Sequence, residues 1–388
     1  MRPVGAIQVA FRVIGAAAVG GLALVQASGM ARGDKPSLKR LAPKGLLIGA
    51  ALNARQVDGG DPVSLDIVTG QFNSISPENV LKWGAVHPAP DRYVLEPVDK
   101  YVTLGKEHDL AVIGHVLVWH QQTPAWAFAG EAGGRADRDT LLSRMRTHIQ
   151  TIVGRYRGRI HGWDVVNEAL DDDGTLRKTP WLEAIGPDYV AKAFEYAHAA
   201  DPAAELYYND FNLWKPAKRE AAIRLVRELR AGGLRVDGVG EQAHWGVGEP
   251  PLADIEKTIS AIASGTGVKV LLTELDVDVL PRDPDMWGAD LSKKATIRAT
   301  TNIYPNGLPD AQQEELARRY ADVFALFVKY HVARVTLWGV TDAQSWLHDF
   351  PIPGRVNYPL LFDREARPKP AFEAVVDVLR AAGRGAPR

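Results

Sequence analysis

A chain of 388 residues with 46% hydrophobic content is able to bury a large core, and its 46 basic against 47 acidic side chains set up no overall field to recruit nucleic acid or an anionic membrane surface. The absence of cysteine excludes disulfide staples, thiolate metal sites and cysteine nucleophiles. Ten tryptophans and eleven tyrosines in a nearly neutral chain suit an uncharged partner with flat apolar faces, such as a sugar, although each is equally at home in a core.

In chain order, Arg2 and Arg12 lead into the apolar run "VIGAAAVGGLALV" and the small residues of "VQASGMA". That pattern predicts a secretory signal peptide over 1–27, with cleavage after Ala27 or as late as Ala31. The run is short for a bilayer span and "RGDKPSLKR" follows it, so export to the periplasm or medium without a membrane anchor is expected. A basic connector is expected over 28–41, a catalytic-sized domain over 42–382 and a tail over 383–388.

Strand-like runs then recur: "GLLIGAAL" (45–52), "GQFNSISPEN" (70–79), "DLAVIGHVLVWH" (109–120), "RIHGWDVVNE" (159–168), "AELYYNDFN" (204–212), "VDGVGEQAHW" (236–245), "VKVLLTELDV" (268–277) and "ARVTLWGV" (333–340). Between them lie segments such as "DTLLSRMRTHIQTIVGRYRG" and "PAKREAAIRLVRELRAGG", with apolar residues three and four apart. Strands alternating with helices imply parallel βαβ units, and eight of them imply a single (β/α)8 barrel. The runner-up, an open doubly wound sheet, lacks its phosphate fingerprint: "GVGEQA" is followed by "HWGVGEPP" and not by a helix. The long irregular stretch from Pro281 to Pro309 follows the seventh strand and is expected over the active face of the barrel.

Barrel enzymes place their chemistry at the carboxyl ends of strands. Here those ends carry Glu78 and Asn79, His115, Trp119 and His120, Asn167 and Glu168, Asn209, Gln242 and His244, Glu274 and Asp276, and Trp338. Glu168 ends strand four and Glu274 ends strand seven, so the two carboxylates could converge on one cleft. Acetal hydrolysis needs such a pair, one protonated to release the leaving oxygen and one ionised to meet the oxocarbenium-like carbon. Glu274 and Asp276 share a face by the period of two, and a His244 held by Asp276 could fix Glu274 as an oriented anion. Asn167 and Glu168 are neighbours, so strict alternation points them apart unless the strand twists or bulges at its end.

Competing chemistries find less support. His115 and His120 are the only close histidine pair and fall on opposite faces of a regular strand, neither fits the helical H-E-x-x-H spacing, and no G-x-S-x-G elbow occurs. No cofactor or metal is expected.

The motifs "SPENVLKW", "GHVLVWHQQTPAW", "WDVVNEAL", "YYNDFN", "EQAHW", "TELDV", "LWGVTDAQSW" and "YPLLFDREARPKPAF", in this order over 45–380, resemble glycoside hydrolase family 10, the endo-β-1,4-xylanases. The resemblance implies Glu168 as acid/base and Glu274 as nucleophile, with Asn167 and the His244–Asp276 pairing in support. It implies Glu78, Asn79, Lys82 and Gln122 as sugar-binding residues beyond the cleavage point, and His115, Trp119, Gln242, Trp338 and Trp346 as walls of the cleavage subsite; Asn209 is counted with the substrate-binding set. Ala243 and Ala366 depart from the residues expected there, and the segment with Met286, Trp287 and "KKATIRATTNIYP" is long and idiosyncratic. The expected partners are β-1,4-xylan and xylo-oligosaccharides, met by a monomer. A retaining hydrolase of another β-1,4-glycan and a non-catalytic sugar-binding relative are the alternatives.

Overall fold

The computed structural model describes residues 36–130, 133–283, 286 and 288–385. The expected leader, the connector up to residue 35, and Trp287 lie outside the described residues. The strands are β1 (Leu47–Leu52), β2 (Ser74–Pro77), β3 (Ala111–Val118), β4 (Gly162–Asn167), β5 (Glu205–Asp210), β6 (Gly238–Glu241), β7 (His244–Gly246), β8 (Lys269–Asp278) and β9 (Arg334–Leu337). All pairings are parallel; β6 also pairs with β8, and β9 returns to β1 through Leu47↔Arg334, so the sheet closes without an edge. β7 continues β6 along the far half of β8. The barrel thus has eight staves, one of them broken, where the sequence predicts eight strands.

Closure buries the staves on both faces, which explains their near-continuous apolar runs. Helices cover the outside with one apolar stripe each: on Arg138–Arg155, Leu141, Met145, His148 and Ile152 are buried at steps of four, three and four. Asp137 caps that helix by accepting from Thr140 N, and Asp61 does the same for Pro62–Gln71 through Ser64 N. Within the barrel Tyr207 lies flat across β4, where a Cβ on Gly162 would come within 2.4 Å of its hydroxyl oxygen. Only glycine admits that ring.

The domain boundary differs from the expected one. Leu38 is fully buried, Ser37 Oγ donates to Gly70 O at 2.7 Å, and the short helix Leu38–Leu41 packs on the helix Pro370–Gly385. The compact unit therefore begins at Pro36, not 42, and its last helix runs into the residues expected as a tail. The basic side chains around Leu38 disguise it as linker: Lys39 reaches back to Thr69 O at 2.5 Å instead of trailing in solvent. Among the described residues no helix is long and apolar enough to cross a membrane.

A chain that starts at Pro43 should unfold roughly 3 °C or more below one that starts at Pro36, because burying a leucine contributes about 2 kcal/mol and its loss also frees the groove it fills. Equal midpoints in a thermal melt of the two would return residues 36–41 to the status of linker.

Candidate active site

At the carboxyl end of the barrel a cavity of about 160 Å³ is lined by thirteen of the fifteen site residues predicted from sequence, together with Ala289 and Leu291. The two that do not line it are Asp276 and Asn209. Asp276 is wholly buried behind His244. Asn209, expected to bind substrate, is also wholly buried; its amide nitrogen donates to Asn167 Oδ1 at 2.9 Å and to Glu274 Oε1 at 2.8 Å. It positions the groups in front of it and does not face the cavity. His120 does not line the cavity either. Burial, aided by Arg177, pushes its ring down to about 4.

Local backbone departures bring neighbouring side chains to one place. Glu168 stands just past β4 at φ +58°, in the left-handed region, and its N–H donates to Asn209 O at 2.9 Å. That turn undoes the strand alternation, so Asn167 Nδ2 donates to Glu168 Oε1 at 3.0 Å from the same side. A non-glycine residue there costs on the order of 1 kcal/mol, a strain typical of functional sites. On the sixth stave Ala243 is likewise left-handed, at φ +64°. From Glu241 to His244 is three steps, whereas their partners on β8, Leu272 and Asp276, are four apart. The slip sets His244 directly opposite Asp276.

The two carboxylates sit in contrasting surroundings. Burial is the largest influence on Glu168 and carries it from 4.5 up to about 7, against hydrogen bonds from Gln242 Nε2 at 3.0 Å and Trp119 Nε1 at 2.8 Å; Asp210 adds repulsion. Burial also acts first on Glu274, but there it is outweighed. His244 Nε2 lies 3.2 Å from Glu274 Oε2, and His115 and Lys82 add their fields, so the carboxyl falls below its ordinary value. His244 Nδ1 lies 3.1 Å from Asp276 Oδ2; burial opposes its charge, yet Asp276 and Glu274 together raise it to about 9. Near neutrality the site thus holds one ionised carboxylate on an imidazolium and one carboxyl that is about half protonated.

Toward the other end of the cavity, Lys82 Nζ donates to Asn79 Oδ1 at 3.1 Å, and Asn79 Nδ2 donates to Glu78 Oε1 at 3.2 Å. Gln122 Nε2 reaches Asn79 Oδ1 at 3.4 Å. Burial lowers Lys82, partly offset by Glu274, Glu78 and Glu168, and raises Glu78. Trp346 Nε1 donates to Asp276 Oδ2 at 2.6 Å, and its ring stacks on Phe350 at 4.5 Å. Trp338 stands edge-on to His115 and His244, and His115 is held from behind by Asp164 at 2.9 Å. Beyond Trp346 a wider cleft of about 710 Å³ continues along Gln344 to Phe350 and shares Glu78, Leu291 and Trp346 with the cavity.

Several participants escape sequence reasoning. Ala289 and Leu291 come from the 281–309 segment, whose placement over the barrel mouth was expected but whose lining residues carry no chemical signal. Arg177 holds the chain after β4 through Glu168 O and Leu170 O, each at 3.2 Å; a basic residue that far past a strand end has no pattern to mark it.

The chain matches the glycosyl hydrolase family 10 model over residues 37–378. It is 43% identical to endo-1,4-beta-xylanase A of Xylanibacter ruminicola over 358 residues, 92% of this chain and 96% of that one. Among solved structures it is similar to a GH10 endoxylanase from a sugarcane soil metagenome (TM-score 0.83, 40% identity, 89% of this chain and 100% of that one). It is also similar to an intracellular xylanase of Thermoanaerobacterium saccharolyticum solved as a mutant with xylotriose (TM-score 0.76, 33% identity, 89% and 99% covered). With its family matched across nearly all the described residues and the paired carboxylates at the mouth of a closed barrel, the chain belongs to glycosyl hydrolase family 10.

Proposed function

We propose that the protein is an endo-β-1,4-xylanase acting by double displacement, with Glu274 as nucleophile and Glu168 as general acid and then base. The observation that carries this reading is the charge asymmetry of the pair: Glu274 is lowered by His244, while burial lifts Glu168 to about 7. A nucleophile must be ionised and an acid must hold its proton at working pH, and the two environments meet those demands separately. Glu168 gives its proton to the leaving oxygen as Glu274 forms the glycosyl ester. Glu168, now a carboxylate, then takes a proton from the incoming water, and the ester breaks.

Xylan is favoured over a hexose polymer by the wall at Trp346. Its indole is tied to Asp276 at 2.6 Å and backed by Phe350, so the ring is not free to swing aside for a hydroxymethyl group. The xylanase relatives and the neighbour that holds xylotriose point the same way. Lys82, Asn79 and Glu78 form a polar run suited to sugar hydroxyls on the side away from the acid. Export by the 1–27 leader without a membrane anchor belongs to the same proposal and rests on the amino-terminal sequence alone, and action as a monomer is proposed with it.

The Glu168 carboxyl should titrate near 7 in a carbon-13 NMR titration, and Trp119→Phe, which removes a donor to the ionised form, should raise it further. A resonance that moves near 4.5 would deny Glu168 the proton its role requires. Activity should accordingly fade as pH rises past that value.

Stereochemistry tests the two-step course. Proton NMR of fresh hydrolysate should show the β-anomer first, and Glu168→Ala should slow xylan hydrolysis at least about a hundredfold while sparing glycosylation by an aryl xyloside whose leaving group needs no proton. An initial α-anomer would sink the retaining mechanism, and equal damage to glycosylation from both substrates would remove Glu168 as the acid.

Trp346→Ala should narrow the preference for aryl xylosides over aryl glucosides by roughly tenfold, the range expected when a pocket wall that senses one extra carbon is lost. Both rates lowered with their ratio unchanged would make Trp346 packing only.

A further inference from the structure

The stretch "GVGEQA" puts a carboxylate, Glu241, on the helix-facing side of the sixth stave, two residues past the core residue Val239. Glu241 is only 3% exposed, lies outside the cavity lining and has no part in the mechanism above. The cation nearby, Lys218, is engaged with Asp210, its Nζ 2.8 Å from Oδ1. The Glu241 carboxylate is turned on backbone instead: Oε1 accepts from Ala243 N at 3.2 Å and Oε2 from Leu213 N at 2.7 Å.

Both amides belong to left-handed turns. Ala243 is itself left-handed at φ +64°, and Leu213 follows Asn212 at φ +58°. At such a turn the amide no longer points along the ladder, and a buried N–H left without an acceptor is costly. On the sixth stave the departure can be followed bond by bond. Glu274 N donates to Gln242 O at 2.9 Å and Asp276 N to Ala243 O at 3.3 Å, so amides two residues apart on β8 meet carbonyls of adjacent residues. This slip sets His244 opposite Asp276, with Nε2 3.2 Å from Glu274 Oε2, and leaves the Ala243 N–H to Glu241. The other bond of Glu241, to Leu213, secures the end of β5, whose Asn209 donates to Glu274 Oε1 at 2.8 Å. One carboxyl behind the barrel wall braces both arms that hold Glu274.

We propose that Glu241 is the positioning residue that keeps His244 on Glu274: it accepts the amide released by the slip at Ala243, and so holds the imidazole between Asp276 and Glu274 without touching the sugar. Its effect on rate rests on the assignment of Glu274 as nucleophile; its effect on His244 stands apart from that assignment. Both oxygens of the carboxyl are in use, so an amide side chain of the same length can replace one acceptor and an apolar side chain neither.

Histidine NMR of the full chain reads the geometry, and steady-state kinetics reads its consequence. His244 is faced by Asp276 and Glu274 of β8 and by the rings of Trp338 and Trp346, so its titration reports the approach of the two carboxylates. It should titrate at about 9 in the unaltered protein and at about 8 or lower in Glu241→Leu, because the relaxed turn moves the ring away from both. Glu241, faced by Asp210 and Lys218 and lifted by burial to about 7, is itself largely ionised over that range. On xylo-oligosaccharides Glu241→Leu should lose at least about tenfold in kcat with KM held within about twofold. If that variant does not fold, Glu241→Gln should show the same changes with a loss of about threefold in kcat. Adding Ala243→Gly, which takes up the left-handed turn without strain, should recover about half of the lost rate in either background. A lowered melting midpoint with the His244 titration and kcat unmoved in whichever variant folds, or no recovery with Ala243→Gly, overturns the proposal. A shifted His244 in a protein that does not cleave xylo-oligosaccharides keeps Glu241 as the brace of His244 and defeats the xylanase reading alone.

Discussion

Two carboxyl groups buried at one cavity cannot both be charged unless one of them is given a counter-ion, and His244 is that counter-ion. Burial alone would raise both; it lifts Glu168 from 4.5 to about 7, a differential cost on the order of 3 kcal/mol for its charged form. Glu274 is buried too, yet its carboxyl lies below the ordinary value because an imidazolium stands 3.2 Å from one oxygen and an asparagine amide 2.8 Å from the other. The imidazolium exists because Asp276 holds its far nitrogen. Remove that pairing and Glu274 loses the strongest influence that keeps it ionised, leaving the fields of His115 and Lys82 to set it apart from Glu168.

The barrel delivers this pairing only through breaks in its regularity. An unbroken sixth stave would keep the register of Gly238↔Lys269, and His244 would fall opposite Leu275 instead of Asp276. The left-handed Ala243 supplies the one-residue slip. Glu168 relies on the same device at the end of β4. Both positions hold residues with a Cβ where glycine would be less strained, so the cost of about 1 kcal/mol each is met by the closed sheet around them.

How much of this is readable in the chain follows from what each feature needs. All eight staves are legible, because a parallel barrel buries strands on both faces and leaves apolar runs that end abruptly in polar and aromatic residues. Of the thirteen expected residues that line the cavity, ten are legible for the same reason, since they stand at or next to those ends; Lys82, Gln122 and Trp346 lie in the loops beyond and are marked only by the family resemblance. The conformation of Glu168 is not, since alternation is the only rule the sequence offers there and the strand breaks it. The burial of Asn209 is hidden because an asparagine at a strand end looks the same whether it faces substrate or lies one layer below. Leu38 is masked by its basic neighbours, and Ala289 and Leu291 by their ordinariness; only the path of the 281–309 segment across the barrel mouth makes them part of the site.

The connection between the two glutamates also constrains the proton. Asn209 Nδ2 faces Glu274 and the oxygen of Asn167, and Asn167 Nδ2 faces Glu168, so a chain of two amides runs from one carboxylate to the other. An ionised carboxylate only accepts, and Thr273 Oγ1 donates to Asn209 Oδ1 at 2.6 Å, so the amide orientation of Asn209 is set by its neighbours on both sides. Amides at these positions donate without giving up their protons at any pH the protein survives. The link therefore fixes the spacing and direction of the two carboxylates while insulating the proton on Glu168 from Glu274. In the two-step course proposed above, a proton given by Glu168 to a leaving oxygen has to be regained from the water that enters the cavity in the second step, which ties completion of each cycle to the entry of that water and not to a relay through the protein.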